Sequence, residues 1–459
     1  MINLVIQISK YAILFMMAIY TLQSYLVFSK KDDDDKDFIF LRQDLMIFMI
    51  HFIAYLDIYL RQGDTMLYFL YGAQFIYLAA VLVFFHNLYP RGSKLVLNHM
   101  CMLIMIGFVM MTRLSYDIDR IDPVKHFEIT VAATIVAMII PLIVRRMRIL
   151  TRWTWLYAAA GIGALGLVAV AAKQTYGAKL GFTIAGISIQ PSEFVKIIFV
   201  FCIAGMLGKA KNFKDIVITT ALAAMHVLIL VASRDLGSAL IFFMTYLIML
   251  YVSTRKSLYL LAGLLAGAAA GVGAYFLFSH VQQRVDIWMD PFADYSGSGY
   301  QVAQSLFAIA AGGWFGTGVF QGSPDLIPIV EQDFMFAAIT EEFGGIFSIC
   351  FILVCMSCYI MFVNIAMRLS NRFYRLVALG LGTMYAVQVF LTIGGALKFI
   401  PMTGVTIPLV SHGGSSMLST QMMFAIIQGL YILREDEEDQ IERYRERERQ
   451  MERQRYYGS

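Results

Sequence analysis

Apolar runs of close to 20 residues recur along almost the whole chain and are separated by short polar connections. A helix needs about 20 apolar residues to cross a bilayer, whereas the alternating pattern of a transmembrane β-strand is absent. The expected fold class is therefore all-α, a polytopic helical membrane protein whose backbone hydrogen bonds close within each helix. The pattern predicts thirteen spans, at residues 9–28, 44–60, 66–88, 96–114, 127–144, 153–172, 192–208, 215–232, 237–253, 257–279, 334–363, 374–397 and 415–433.

Composition and loop charge extend this prediction. Hydrophobic residues make up 59% of the 459 residues and charged residues only 15%, against about a quarter charged in soluble domains. Lysines and arginines are about twice as frequent in one set of alternate connections as in the other. Because basic connections stay in the cytoplasm, this bias predicts an outer N-terminus and a cytoplasmic C-terminus. The first apolar run has no small-residue cleavage site, so we expect a retained helix and not a signal peptide.

Three regions follow from the spans. Residues 1–94 form a three-helix extension, and residues 95–433 form a ten-helix core with a large outer loop at 280–332. Residues 434–459 form a charged cytoplasmic tail. A long loop in a compact domain is usually functional, and its apolar segment at 300–311 is expected to lie as a helix in the membrane interface.

Charged residues at the ends of the predicted helices are the first candidates for a site, because charge within a span needs a reason. Glu193 and Lys196 lie three residues apart on one helix face behind Pro191. They form either an internal ion pair or the polar floor of a cavity for a headgroup. Arg234 and Asp235 precede the ninth span, where Asp235 is either a helix cap or part of the same polar site.

Asp333 enters the eleventh span from the outer loop and is a further candidate. A carboxylate at the boundary between water and lipid is expected to have a raised pKa, as a general base requires. The alternative is an N-cap for the following helix.

The connection before the last span is rich in proline, glycine and hydroxyl residues. Irregular backbone at membrane depth is tolerated only where it lines a cavity or packs on protein, and backbone N–H groups at a helix start bind anions. The candidate anion-binding residues are Ser411, His412, Gly413, Gly414, Ser415 and Ser416. No nucleotide-binding or zinc motif appears in the sequence, so ATP-driven transport by this chain alone is unsupported.

Together these motifs resemble the SEDS family (shape, elongation, division and sporulation), which includes FtsW, RodA and SpoVE. The resemblance covers residues 95–433, the ten spans expected of that family. The matching pieces are Gln190-Pro191-Ser192-Glu193 with Lys196, Asp235 to Leu240, Gly299-Tyr300-Gln301, Gly313-x-x-Gly316-x-Gly318, Asp333-Phe334-x-Phe336 with Glu341-Glu342-x-Gly344, and Pro401 to Ser416.

The resemblance implies a bacterial peptidoglycan glycosyltransferase that polymerises lipid II at the outer face of the cytoplasmic membrane during elongation, division or sporulation. It implies a class B penicillin-binding protein as partner. The family's essential aspartate falls at Asp333, its loop acid at Asp325, and its intramembrane pair at Glu193 and Lys196.

Some family positions differ. Ile329 stands where a glutamate is usual, Gln332 where a threonine is usual and His412 where a tyrosine is usual, and an Arg-Trp pair before residue 190 is missing.

The leaving pyrophosphate would need positive charge, from Lys196, Arg234, Lys398, the amides of 413–416 or a divalent cation such as Mg²⁺ or Mn²⁺. Two other functions fit the same motifs. One is a lipid II flippase, which must open its cavity to both membrane faces, and the other is an inactive scaffold for a penicillin-binding protein.

Overall fold

The structure is a computed structural model that describes residues 2–146, 148–172, 174–175, 178–179, 181–184 and 187–457. Residues 458 and 459 of the predicted tail lie outside the described residues. In chain order the α-helices are α1 (Ile2–Leu26), α2 (Asp33–Gln62), α3 (Met66–Leu88), α4 (Lys94–Leu114), α5 (Pro123–Arg146), α6 (Thr154–Ala171), α7 (Pro191–Lys209), α8 (Phe213–Ala232), α9 (Leu236–Thr254), α10 (Ser257–Leu277), α11 (Ser279–Met289), α12 (Tyr300–Gly312), α13 (Met335–Arg368), α14 (Arg372–Ala396) and α15 (Gly414–Tyr457).

Within the described residues, thirteen helices are long and apolar enough to span a membrane, namely all except α11 and α12. The predicted fold class and number of spans are therefore confirmed. The first span begins at Ile2, earlier than predicted, because Leu4, Val5 and Ile6 extend its apolar run. The interface helix predicted at 300–311 is α12, and α11 is an additional short helix in the same outer loop.

Four short strands, absent from the predicted pattern, lie between α6 and α7. Strand β1 (Gln174–Thr175) pairs antiparallel with β2 (Ala178–Lys179), and β3 (Phe182–Ile184) pairs antiparallel with β4 (Ile187–Ile189). Strands of two or three residues have too few alternating positions to be recognised from hydrophobicity.

Helix α4 lies at the centre of the bundle, and its whole apolar segment is buried in protein. Helices α2 and α3 pack against it, and α1 packs along α2 and α13. Helix α10 is the opposite case, because none of its apolar segment is buried and it packs mainly on α9 and α11. The extension therefore shields one side of the core from lipid, whereas α10 is exposed on another side of the bundle.

Hydrogen bonds between buried side chains join the N-terminal extension to the core. Tyr20 of α1 is 3.0 Å from His99 of α4, whose other ring nitrogen is 2.9 Å from Ser357 of α13. Tyr55 of α2 bonds to Thr112 of α4 at 2.7 Å. Such interhelical bonds specify helix pairing in a membrane, where apolar contact with lipid is as favourable as contact with protein.

The outer loop packs against a break in α13 at Gly344. This glycine has φ +91°, and a Cβ placed there would lie 2.3 Å from the backbone nitrogen of Gly316. The loop backbone replaces hydrogen bonds of the broken helix, since Thr317 N donates to Glu341 O and Gly318 N donates to Glu342 O, each at 2.9 Å. Only glycine fits this conformation and this close approach.

Arg113, in the last turn of α4, bonds to both α13 and the outer loop near this break. Its side chain is buried, and it donates to Glu342 Oε1 at 2.6 Å, to Asp117, and to Gly322 O at 3.2 Å. The guanidinium also lies 3.9 Å from the ring centroid of Phe320. One buried cation therefore connects α4, α13 and the outer loop.

We expect Arg113→Met to lower the melting temperature in detergent by several degrees, because it leaves Glu342 buried without a cation. Removing one partner of a buried pair costs about 3–5 kcal/mol. The double variant Arg113→Met/Glu342→Leu should recover much of the loss, since an apolar pair replaces the charges. A single variant that melts like the wild type would contradict this role of Arg113.

Candidate functional site

Two adjoining cavities lie at the end of the bundle where α9, α13 and α15 begin. The first has a volume of about 410 Å³ and is lined by residues from 234–236, α11, α12, 329–333 and 395–404. The second has a volume of about 300 Å³ and is lined by residues from 120–129, α7, 404–406 and 412–416. Gln332 and Gly404 line both, so the cavities share a wall.

Asp333 lies on the wall of the first cavity and is half-buried. Burial raises the pKa of its carboxyl from 3.8 to about 6, Arg284 acts to lower this pKa, and Glu331 acts to raise it. The N-cap of α13 is Phe334, so the interpretation of Asp333 as the helix cap is wrong. The geometry instead leaves a carboxylate facing a cavity.

Arg284 of α11 faces the same point as Asp333. A methyl group placed on Gly404 would lie 3.9 Å from Arg284 Nη2 and 4.0 Å from Asp333 Oδ2. Gly404 has φ +72°, which glycine adopts without strain. A cation and a carboxylate therefore converge on the shared wall, next to a residue without a side chain.

The segment before Asp333 is held by contacts on two sides. Both oxygens of the buried Glu331 accept bonds of 2.9 Å from Arg120. The carbonyl of Glu331 accepts from His412 N at 2.7 Å, and the carbonyl of Gln332 accepts from Ser411 Oγ at 2.7 Å. Residues 331–332 are thus attached to the α4–α5 connection and to the loop before α15.

Three basic residues, Arg234, Arg284 and Lys398, line the first cavity. Arg234 and Lys398 occupy the left-handed region, with φ of 63° and 56°, at the turns that follow α8 and α14. Arg284 Nη1 donates to Met402 O and Lys398 Nζ donates to Met289 O, each at 3.2 Å. This concentration of positive charge suits a phosphate-bearing ligand.

Asp235 is both a helix cap and a residue of the cavity wall, the two positions considered from the sequence. It caps α9 by accepting from Ser238 N at 3.1 Å, and it lines the first cavity. Its other oxygen accepts from Ser192 Oγ at 3.2 Å, which ties α9 to the start of α7.

Glu193 and Lys196 form a buried ion pair of 2.8 Å on α7. Glu193 lines the second cavity and accepts from Ser419 Oγ at 2.9 Å. Lys196 donates to Gln388 Oε1 at 2.9 Å and lines neither cavity. Glu193 therefore fits the interpretation as part of a cavity floor. Lys196 lies outside both cavities and pairs with Glu193.

The loop before α15 contributes to the second cavity as the glycine pattern indicated. His412, Gly413, Gly414, Ser415 and Ser416 line it, with Ser415 Oγ 2.9 Å from the donating Gln190 N. Ser411 is different, because it is buried and its hydroxyl bonds the backbone of 332 and 407.

Asp325 does not lie on the wall of either cavity. It is exposed in the short helical turn Pro324–Leu326, which packs on α13 near Glu341. The structure therefore separates it from the other candidate site residues.

Sequence reasoning did not single out Arg120, Arg284 or Gln332 as site residues. The available signal was weak, since the two arginines stood only among the basic residues of outer connections. Within the described part of the chain, no three His, Cys, Asp or Glu side chains converge as a metal site would require.

Comparison with known proteins points to the same family as the sequence motifs. The cell cycle protein family model of FtsW, RodA and SpoVE matches residues 93–435. The peptidoglycan glycosyltransferase RodA of Mycobacterium tuberculosis is 32% identical over 363 residues, covering 74% of this chain and 77% of the relative. The probable peptidoglycan glycosyltransferase FtsW of Tolumonas auensis is 31% identical, covering 61% and 76%.

Solved structures share the fold. A chain from a peptidoglycan synthase complex, described for its coordination of polymerization and crosslinking, has a TM-score of 0.64 at 23% identity and covers 75% of this chain and 98% of its own. Thermus thermophilus RodA, a rod shape determining protein, has a TM-score of 0.54 at 20% identity and covers 74% and 96%. The chain is therefore a multi-pass membrane protein that belongs to the FtsW, RodA and SpoVE family.

Proposed function

We propose that this chain is a peptidoglycan glycosyltransferase that polymerises lipid II, with Asp333 as general base. The observation that carries the proposal is the half-buried Asp333 beside the wall shared by two cavities, one of which holds three basic residues. Two cavities suit a polymerase, because it must bind a donor and an acceptor at once. The relatives that share this fold carry the same activity in their names.

The reaction is a displacement at the anomeric carbon of the donor sugar. The acceptor hydroxyl forms the new bond to this carbon while its proton passes to the Asp333 carboxylate. The bond from the anomeric carbon to the pyrophosphate oxygen breaks, and the lipid pyrophosphate leaves with the electron pair. A positioned general base of this kind contributes about 10²- to 10⁴-fold in rate.

The pyrophosphate binds in the first cavity, against Arg234, Arg284 and Lys398, and the acceptor sugar enters from the second. These cations stabilise the charge that develops on the leaving group. Lys196, also considered for this role, instead holds Glu193 in place. The amides and hydroxyls of residues 413–416 bind the polar groups of the acceptor.

A divalent cation such as Mg²⁺ would be held mainly by the substrate's pyrophosphate. The described residues provide no cluster of three ligands, and Mg²⁺ is commonly bound through one or two carboxylates together with substrate phosphates. Asp235 and Asp333 are the carboxylates on the wall of the first cavity.

A class B penicillin-binding protein is the proposed partner, and the cavities face the outside. The similar chain from a complex that couples polymerization with crosslinking supports such a partner. The distribution of basic residues supports an outer N-terminus and a cytoplasmic C-terminus.

The flippase and scaffold alternatives have less support. Both cavities lie at the same end of the bundle, whereas a flippase must open to both faces. A scaffold would have no use for a carboxylate whose pKa burial raises to about 6 at the wall of a basic cavity.

The proposal is tested by lipid II polymerisation with purified protein, alone and with a cognate penicillin-binding protein. We expect glycan chains from the wild type and a fall of about 10²- to 10⁴-fold in Asp333→Asn, which cannot accept the proton. Asp119→Asn, an exposed carboxylate that lines neither cavity, is the control and should retain full activity. Equal rates for Asp333→Asn and wild type would remove Asp333 from the mechanism, and no product from folded wild type would reject the enzyme.

The pH dependence provides a second prediction. Because Asp333 must be ionised, kcat/KM should rise with pH through about 6 and then level off. Arg284 lowers the pKa of Asp333, so Arg284→Gln should move this rise to higher pH. The exposed Arg61→Gln serves as the control. An unchanged profile in Arg284→Gln would contradict the assignment of the base.

A third prediction concerns Glu331, which lines neither cavity. Glu331→Gln should lower kcat about tenfold or more with little change in KM, since loss of the Arg120 pair lets the segment before Asp333 shift, and small misplacements of reacting groups are costly. The measurement is steady-state polymerisation with Glu128→Gln, an exposed residue of α5, as control. A rise in KM alone would indicate substrate binding instead of positioning.

A further inference from the structure

A third cavity lies at the opposite end of the bundle from the site, within the N-terminal extension. It has a volume of about 430 Å³ and is lined by the first turns of α2, the last turns of α3 and the start of α4. Leu41 and Val83 on its rim are 66% and 57% exposed in the isolated chain, so the cavity opens sideways toward lipid. The first turns of a helix that spans a bilayer lie close to one membrane surface, where a lipid headgroup can reach this cavity.

Polar groups line this cavity although its rim is apolar. Lys94 Nζ lies 2.8 Å from each carboxylate oxygen of Asp37. Asp44 lies deeper in the cavity, and its Oδ1 atom is buried with no hydrogen-bond partner among the described residues. His86 and Asn87 face it from α3. A buried polar atom that has no partner is unfavourable and calls for a donor from outside the chain.

We propose that this cavity binds the headgroup of a phospholipid with a primary amine, phosphatidylethanolamine. The ammonium group donates to the Asp44 carboxylate, and the phosphate lies against Lys94, which has Asp37 as its counter-ion. A carboxylate only accepts hydrogen bonds and an ammonium group has only donors, so the two complement each other.

The charges of the cavity select against other phospholipids. Two carboxylates, Asp37 and Asp44, face one cation, Lys94, so the cavity disfavours an anionic phosphatidylglycerol headgroup. The trimethylammonium group of phosphatidylcholine has no N–H to donate to the Asp44 carboxylate. This site is separate from the polymerisation site and does not depend on the proposed function.

The experiment is a lipid titration of the full chain, stripped of lipid in neutral detergent and followed by native mass spectrometry. The lipids are phosphatidylethanolamine, its mono- and dimethyl derivatives and phosphatidylcholine, all with the same acyl chains, together with phosphatidylglycerol. We expect affinity to fall with each methyl group, by about tenfold in total, because a charge-assisted hydrogen bond is lost.

Asp44→Asn should weaken the preference for the primary amine, because the amide oxygen accepts a hydrogen bond without a charge, whereas Asp33→Asn, an exposed residue on the same helix outside the cavity, should retain it. Melting temperatures measured without lipid establish that both variants fold. Equal binding of phosphatidylethanolamine and phosphatidylcholine by the wild type would overturn the proposal. Tighter binding of phosphatidylglycerol, or an unchanged preference in Asp44→Asn, would also overturn it.

Discussion

The attachment of the segment before Asp333 is the constraint on which the site depends. Asp333 extends from a loop rather than from a helix, so its position relies on its neighbours. The paired bonds between Glu331 and Arg120 fix one side of the segment, and the bonds from Ser411 and His412 fix the other. These contacts bring the carboxylate to the wall shared by the two cavities.

The membrane requires that the charges around this segment be paired. Arg113 and Glu342 form a buried pair that joins α4 to α13, whereas Glu193 and Lys196 form a buried pair within α7. Each pair needs further hydrogen bonds to offset its desolvation, which Gly322, Gln388 and Ser419 provide. At the other end of the bundle, one carboxylate oxygen of Asp44 is buried without a hydrogen-bond partner among the described residues.

Much of the fold was predictable because spans depend on local composition. Apolar runs gave the thirteen helices, and the order of short motifs indicated the family. Two arginines of the site were not predictable, because they come from connections far away in the chain: Arg284 faces Asp333, and Arg120 bonds Glu331. Spacing placed Glu193 and Lys196 on one face of α7 but did not distinguish the residue that faces the cavity from the one behind it. Asp325 was grouped with the site from its motif position alone. The turn that contains it packs on α13, so Asp325 lines neither cavity.

A structure of the protein with bound lipid II tests the central claim most directly. The account predicts that the pyrophosphate lies against Arg234, Arg284 and Lys398. It also predicts that an acceptor hydroxyl lies about 2.6–3.2 Å from an oxygen of Asp333. A pyrophosphate bound outside the first cavity, with no sugar hydroxyl near Asp333, would contradict it.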